Sequence, residues 1–140
     1  MFEKLPTPTI FAHRGASAHA PENTLAAFEL AVRQFADAIE LDAKLSADGE
    51  VIVFHDQTLE RTTDGSGWIH EHSLAALKEL DAGCSFDVTF CEERIPTLAE
   101  VFESVGQKTY INIELTNYRS PRDTLPEKVV ALIEQYGLTE

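Results

Sequence analysis

The chain has 140 residues, of which 44% are hydrophobic and 25% charged. This composition is typical of a folded globular domain and excludes a disordered chain. The formal net charge of -13 at pH 7 disfavours association with nucleic acid or with an anionic membrane surface, so we expect any anionic substrate to be bound by a local group of cations.

No segment is apolar over the length of a signal peptide or a membrane span, which predicts a cytoplasmic protein without a transmembrane helix. The chain has two cysteines, Cys84 and Cys91. They are too few for a disulfide framework and lack a second pair of Cys or His residues at zinc-site spacing. Free thiols are the favoured prediction, and a structural disulfide is the less favoured alternative.

The first 45 residues have the pattern of strand, helix and strand. Residues 9–12 form an apolar run typical of a strand, and Asn23 or Thr24 is a typical cap for the helix that follows. Apolar residues then recur at spacings of three and four, as on one face of a helix. The predicted face consists of Leu25, Phe28, Val32 and Phe35. A second strand is predicted from Ala38 to about Leu45.

The middle of the chain departs from this pattern. Residues 51–54 are strand-like and follow the turn signal at 46–49 too closely for a parallel crossover, which predicts a hairpin. Residues 62–67 have the composition of a loop, and a short helix is predicted from Ser73 through Leu80. We therefore interpret the segment from about Lys44 to Arg94 as an insertion.

Regular order resumes near residue 95. Thr97 and Glu100 fit a capping box that begins a helix reaching about Val105. A strand is predicted over residues 110–115, and a final helix begins near Pro126 and stops near Gly137. The alternation of strands and helices on both sides of the insertion predicts parallel βα units.

Three carboxylates lie in the predicted strands. Glu40 and Asp42 are two residues apart, so their side chains share one face of a strand, and Glu114 has the same arrangement on a later strand. If they converge, they repel one another unless a cation is bound, and oxygen ligands suit Mg²⁺ or Ca²⁺ better than zinc. The alternative is three unrelated, solvated carboxylates.

Two histidines and an arginine accompany these carboxylates. His13 and His55 each end an apolar run, and imidazoles that titrate near neutral pH can serve as a general acid and a general base. The alternative is that both are hydrogen-bonded structural histidines. Arg14 offers a fork of donors suited to a phosphate, and Gly15 allows a close approach of the backbone.

A series of short motifs runs from about residue 10 to residue 115. In chain order they are His13-Arg14-Gly15, Pro21-Glu22-Asn23-Thr24, Glu40-Leu41-Asp42, Asp48-Gly49, His55-Asp56, Arg61-Thr62-Thr63, Gly65-x-Gly67, Ile95-Pro96-Thr97-Leu98 and Asn112-Ile113-Glu114. This ordered set resembles that of the glycerophosphodiester phosphodiesterase family. The resemblance implies a (β/α)₈ barrel with a small insertion after the second strand.

The resemblance also implies an activity, the hydrolysis of glycerophosphodiesters to glycerol 3-phosphate and an alcohol with a divalent cation, Mg²⁺ or Ca²⁺. Carried over by position, the metal ligands would be Glu40, Asp42 and Glu114, the phosphate-binding residue Arg14, and the general acid and base His13 and His55. Which histidine serves which step is left open. The partner would be a small-molecule substrate. No nucleic-acid partner and no membrane span are expected.

The chain departs from the family pattern in three places. Thr116 stands where family members commonly have Lys, and Phe35 where Gly usually ends the first helix. The chain also holds three of the eight βα units of a barrel, which would leave an open sheet edge. We therefore expect either a fragment of a longer protein or self-association through that edge.

Two other functions are alternatives to this one. The first is a truncated, inactive interaction module, and the second is a phospholipase D of the sphingomyelinase type. The motifs at residues 21–24 and 61–63 favour the glycerophosphodiester activity over the phospholipase D.

Overall fold

The secondary structure alternates strands and helices, as the sequence predicts. A computed structural model describes residues 5–116 and 123–139. In chain order the elements are β1 (Phe11–His13), α1 (Leu25–Arg33), β2 (Ala38–Leu45), β3 (Val51–Val53), α2 (Leu74–Glu79), α3 (Leu98–Val105), β4 (Tyr110–Leu115) and α4 (Leu125–Gln135). None of the helices in these two ranges is long and apolar enough to cross a membrane.

The sheet is centred on β2. Strands β1 and β4 lie parallel to β2 on opposite sides, with Phe11 and Tyr110 both opposite Ala38. Strand β3 is antiparallel to the end of β2, where Ala43 is opposite Val53, which confirms the predicted hairpin. The parallel strands therefore bring their carboxyl ends to the same edge of the sheet.

The two faces of β2 differ in chemistry because side chains alternate along a strand. Ile39, Leu41 and Ala43 face the helices and belong to the main hydrophobic core. Glu40 and Asp42 occupy the other face and are also buried. Strand β2 thus stabilises the fold through one face and presents carboxylates on the other.

Local capping signals position the helices. Thr24 accepts a hydrogen bond from the backbone of Ala27 at the start of α1, and Thr97 and Glu100 form the predicted capping box of α3. The prediction that Phe35 extends the apolar face of α1 is wrong. Phe35 adopts a φ of 60° and is 89% exposed, because it lies beyond the last turn in the left-handed conformation that usually favours glycine.

A second, smaller core lies beside the main one. Its members are Ile52, Phe54, Leu59, Ile69, Leu77, Ala82 and Ile95. Strand β3 contributes to both cores, since Val51 and Val53 pack in the main core and Ile52 in the second. The second core anchors the loops that follow β3. Almost all of it comes from the segment from Lys44 to Arg94, whose status as an insertion stays a prediction.

The prediction of free thiols is wrong, because Cys84 and Cys91 form a disulfide with a Cα separation of 4.3 Å. The carboxylate of Asp81 explains how this loop closes. It accepts hydrogen bonds from the backbone amides of Cys84, at 2.7 Å, and of Glu92, at 2.5 Å. One side chain therefore holds both ends of the loop together.

Candidate active site

The structure brings the three predicted carboxylates together at the carboxyl edge of the sheet. The register places Asp42 of β2 directly opposite Glu114 of β4, and Glu40 lies two residues before Asp42 on the same face. Carboxylate oxygens of all three residues lie within 4.8 Å of one another. We refer to Glu40, Asp42 and Glu114 as the acidic cluster.

The electrostatics of the acidic cluster suit a cation. Burial raises the pKa of Glu40, and the charges of Asp42 and Glu114 raise it further, while a hydrogen bond from the backbone amide of Arg14 opposes the change. That amide lies 3.0 Å from Glu40 Oε2. Three oxygen donors with unfavourable mutual repulsion match the preference of Mg²⁺ or Ca²⁺ for carboxylate ligands.

Asp42 is held in place by residues from outside its own strand. Asn23 Nδ2 donates to Asp42 Oδ2 at 2.9 Å, and Arg14 Nε lies 3.4 Å from the same oxygen. Asn23 is buried and has a φ of 56°, a conformation that Asn tolerates better than most residues. The sequence by itself indicates only a capping role for Asn23, although its place in a motif is a usable signal.

His13 and Arg14 lie at the end of β1, next to the acidic cluster. His13 Nε2 is 3.8 Å from Glu40 Oε2, and the side chain of His13 is largely exposed. Arg14 has a φ of 57°, and its Nη1 donates to Glu22 Oε1 at 3.1 Å. The buried Nε–H of Arg14 has no hydrogen-bond acceptor among the residues that the structure describes.

His55 follows β3 and belongs to a different group of contacts. Its Nδ1 lies 2.7 Å from Asp56 Oδ1. Arg61 donates to both carboxylate oxygens of Asp56, at 2.6 and 2.9 Å, and also binds Glu22. The hydrogen bond from Arg61 lowers the pKa of Asp56 to about 2, so this carboxylate is ionised at neutral pH. The sequence by itself indicates no individual role for Asp56, Arg61 or Glu22.

A lysine outside the sequence motifs is also buried here. Lys44 follows Asp42 by two residues on β2, and its Nζ donates to Thr116 Oγ1 at 2.7 Å and to the Thr116 carbonyl at 3.0 Å. Burial lowers the pKa of Lys44 to about 8, although Asp42, Asp56 and Glu114 oppose this change. The hydroxyl of Thr116 therefore lies beside an amine supplied by β2.

Comparisons with known proteins agree with this geometry. Residues 13–135 match the glycerophosphoryl diester phosphodiesterase family. A glycerophosphodiester phosphodiesterase of Caldanaerobacter subterraneus subsp. tengcongensis is 45% identical over 132 residues, which cover 94% of this chain and 54% of that protein. A protein of the same name from Bacillus subtilis is 41% identical over 138 residues, 91% of this chain and 46% of its own length.

Solved structures show the same similarity. A phosphodiesterase of Oleispira antarctica, in complex with the product sn-glycerol-3-phosphate, is 40% identical with a TM-score of 0.91, and the match covers 96% of this chain and 54% of that one. A glycerophosphodiester phosphodiesterase of Agrobacterium tumefaciens is 42% identical with a TM-score of 0.85, covering 93% and 54%.

The chain spans about half the length of the relatives that it matches. Within that half, the parallel strands and their helices confirm the predicted fold class, because they correspond to βα units of the (β/α)₈ barrel seen in the structural relatives. The chain therefore belongs to the glycerophosphoryl diester phosphodiesterase family.

Proposed function

We propose that this chain carries the reactive groups of a metal-dependent hydrolase that converts glycerophosphodiesters to glycerol 3-phosphate and an alcohol. The observation that supports this most is the convergence of the acidic cluster beside His13 and Arg14. Relatives named for this activity, and a relative bound to sn-glycerol-3-phosphate, agree with the proposal.

The acidic cluster would hold the divalent cation, Mg²⁺ or Ca²⁺, through Glu40, Asp42 and Glu114. When bound, the cation would stabilise negative charge on the phosphate oxygens. Asn23 would keep Asp42 oriented toward it through the amide contact described above.

Arg14 would bind the phosphate. Its Nε lies 3.4 Å from Asp42 Oδ2 without a hydrogen bond in the described part of the chain, so the positive charge lies next to the acidic cluster that would hold the cation. The guanidinium is already held by Glu22, which limits the freedom that binding would remove. The carboxylates around Arg14 carry a strong negative charge. The positive charge of Arg14 is therefore the group of this chain that would attract an anionic substrate.

His13 and His55 would transfer the protons. One imidazole takes the proton from the attacking hydroxyl as the new P–O bond forms, and the other donates a proton to the departing alkoxide as its P–O bond breaks. In the family's proposed route, the attacking group is the neighbouring hydroxyl of glycerol, and water then opens the cyclic phosphate. Because Asp56 binds Nδ1 of His55, Nε2 is the nitrogen that remains for this transfer.

The test is release of glycerol 3-phosphate from glycerophosphocholine by the full chain with Mg²⁺ or Ca²⁺. We expect His13→Ala and His55→Ala each to lower kcat by roughly 100-fold or more, the usual contribution of a general acid or base. A chelator should abolish turnover. His19→Ala is the control, since His19 lies exposed in a loop. Wild-type turnover by both active-site variants would contradict the proposal.

A second candidate is an interaction module that completes its sheet with another chain. It is favoured by β1 and β4, each of which pairs only with β2 in the described ranges. This candidate predicts cation binding without turnover. A phospholipase D of the sphingomyelinase type would instead cleave sphingomyelin, which contains no glycerol and releases no glycerol 3-phosphate.

The location in the cell stays a prediction. The sequence predicts a cytoplasmic protein, whereas the bond between Cys84 and Cys91 is more typical of an oxidising compartment.

A further inference from the structure

Arg61 connects two loops that lie 39 residues apart in the sequence. Its Nη1 and Nη2 donate to the two carboxylate oxygens of Glu22, at 2.8 and 2.7 Å. Its Nε and Nη2 donate to the two carboxylate oxygens of Asp56, at 2.6 and 2.9 Å. Both edges of one guanidinium plane are therefore occupied by carboxylates.

These contacts continue at both ends. Asp56 Oδ1 also contacts Nδ1 of His55, and Glu22 Oε1 also accepts from Nη1 of Arg14. We call this series of contacting side chains, His55, Asp56, Arg61, Glu22 and Arg14, the ion-pair chain. It joins the imidazole that follows β3 to the guanidinium that follows β1.

The charges of the ion-pair chain alternate. Hydrogen bonds from Arg61 lower the pKa of both Glu22 and Asp56, so both carboxylates are ionised at neutral pH. An ionised Asp56 accepts the Nδ1–H of His55, which leaves Nε2 as the unprotonated nitrogen of the neutral ring. The tautomer of His55 thus depends on where the carboxylate of Asp56 is held.

We propose that Arg61 is a positioning residue, which fixes the carboxylate of Asp56 and through it the tautomer of His55 relative to Arg14. The proposal rests on the proposed function, since only there do His55 and Arg14 act on one substrate. A lysine cannot take this role, because a single ammonium lacks the two-edged planar geometry of a guanidinium.

A purely structural role for Arg61 fits the observations less well. The side chain of Arg61 is 47% exposed, so solvent screening reduces what its pairs with Asp56 and Glu22 contribute to the free energy of unfolding. We therefore expect Arg61→Lys and Arg61→Gln to remain folded, with a denaturation midpoint lowered by no more than the loss of these screened pairs. A readout at His55 then separates positioning from stability.

The experiment measures the tautomer ratio of the neutral His55 ring by ¹⁵N NMR on the full chain, without metal or substrate. In the wild type we expect the Nδ1–H form to dominate. In Arg61→Lys and Arg61→Gln the ratio of Nδ1–H to Nε2–H should fall roughly tenfold, the effect of losing one hydrogen bond to a charged acceptor. Asp56→Ala defines the fully released ratio.

The control is Arg33→Gln, which makes the same charge change on α1 at an exposed pair with Glu29. It should leave the His55 ratio unchanged. A ratio within about twofold of wild type in both Arg61 variants would overturn the proposal, because a hydrogen bond to a charged acceptor is worth more than that. A reduced ratio only in Arg61→Gln would also overturn it, since charge without geometry would then suffice.

Turnover of glycerophosphocholine separates this proposal from the proposed function. With an active chain, Arg61→Lys should lower kcat roughly tenfold with a smaller effect on KM, because the tautomer of His55 changes while Arg14 keeps its own contacts with Glu22 and Asp42. A shifted tautomer ratio in a chain without turnover would contradict the hydrolase function and still support the role of Arg61. Normal turnover with an unshifted ratio would overturn the role of Arg61 alone.

Discussion

The carboxylate of Asp42 depends on two neighbours from the loops near α1, Asn23 and Arg14. Asp42 is almost fully buried, so an unpaired charge at this position would be unfavourable. The amide of Asn23 donates a hydrogen bond to the carboxylate and sets the direction in which it points. A residue known from sequence only as a helix cap thus supports the acidic cluster.

This arrangement predicts a measurable effect on cation binding. We expect Asn23→Ala to weaken the binding of Ca²⁺ or Mg²⁺ by roughly 10-fold or more, the usual effect of losing a partner of a metal ligand. Asp42→Asn, which changes a proposed ligand itself, should weaken it further. Titration calorimetry measures both, with Glu127→Gln on the exposed surface of α4 as the control. Equal affinity in wild type and Asn23→Ala would contradict the prediction.

Asp56 predicts a dependence of stability on pH. Its pKa falls from an ordinary value of 3.8 to about 2 in the folded chain, mainly through the hydrogen bond from Arg61. The stabilisation is therefore complete above about pH 4 and is lost as the pH falls through the folded-state pKa.

The measurement for Asp56 is the free energy of unfolding in urea at several acidic pH values. The difference between wild type and Asp56→Asn should be largest at neutral pH and shrink toward the acid end of this window. Glu127→Gln should show no such convergence. A difference that grows on acidification would have the wrong sign and refute the assignment.

At the scale of elements, the end of α1 has an unfavourable backbone conformation. Phe35 adopts the left-handed conformation there, and its amide still donates to the Val32 carbonyl at 3.1 Å to close the helix. A residue with a Cβ is disfavoured in this conformation by roughly 1–2 kcal/mol. The helix nevertheless ends here, because Ala36 and the next strand pack against the core.

Phe35→Gly should therefore stabilise the chain. We expect a gain of about 0.5–1 kcal/mol in the free energy of unfolding, since relief of the left-handed strain exceeds the extra entropy of glycine in the unfolded chain. The phenyl ring is almost fully exposed, so little packing is lost. Phe35→Ala is the matched control, because it removes the ring and keeps the Cβ. A similar gain in both variants would assign the effect to the ring.

At the scale of the whole molecule, the sheet has two unpaired edges among the described strands, β1 and β4. Exposed backbone donors and acceptors at such edges favour pairing with another chain. These exposed edges are the physical basis for the predicted self-association. Contacts within a single chain do not test that prediction. Apolar exposure near β1 adds to it, since Phe11 is 43% exposed.

We expect the average mass in sedimentation to rise with protein concentration. Phe11→Lys should reduce this rise, because a lysine on an edge strand opposes pairing with a second strand. Phe86→Lys is the matched control, since Phe86 is equally exposed but lies outside the sheet. A monomer at all concentrations, or equal effects of both substitutions, would contradict association through β1.

Local signals predicted most of the elements. The bounds of β2, the hairpin to β3 and the capping box of α3 agree with the structure, because periodicity and capping act between residues close in sequence. The convergence of the acidic cluster was also predictable, since parallel strands end at one edge of a sheet. Family motifs then assigned proposed roles to these residues.

Other features arise only when distant segments pack together. The pair between Arg61 and Glu22 and the contact between Lys44 and Thr116 join residues 39 and 72 positions apart. The sequence predicts free thiols, and the disulfide contradicts that prediction. Asp81 brings the two cysteines together in a loop that has no periodic sequence pattern. Strand and helix patterns report on neighbours in sequence, whereas the partner of a charged side chain is selected by distance in space once the cores have formed.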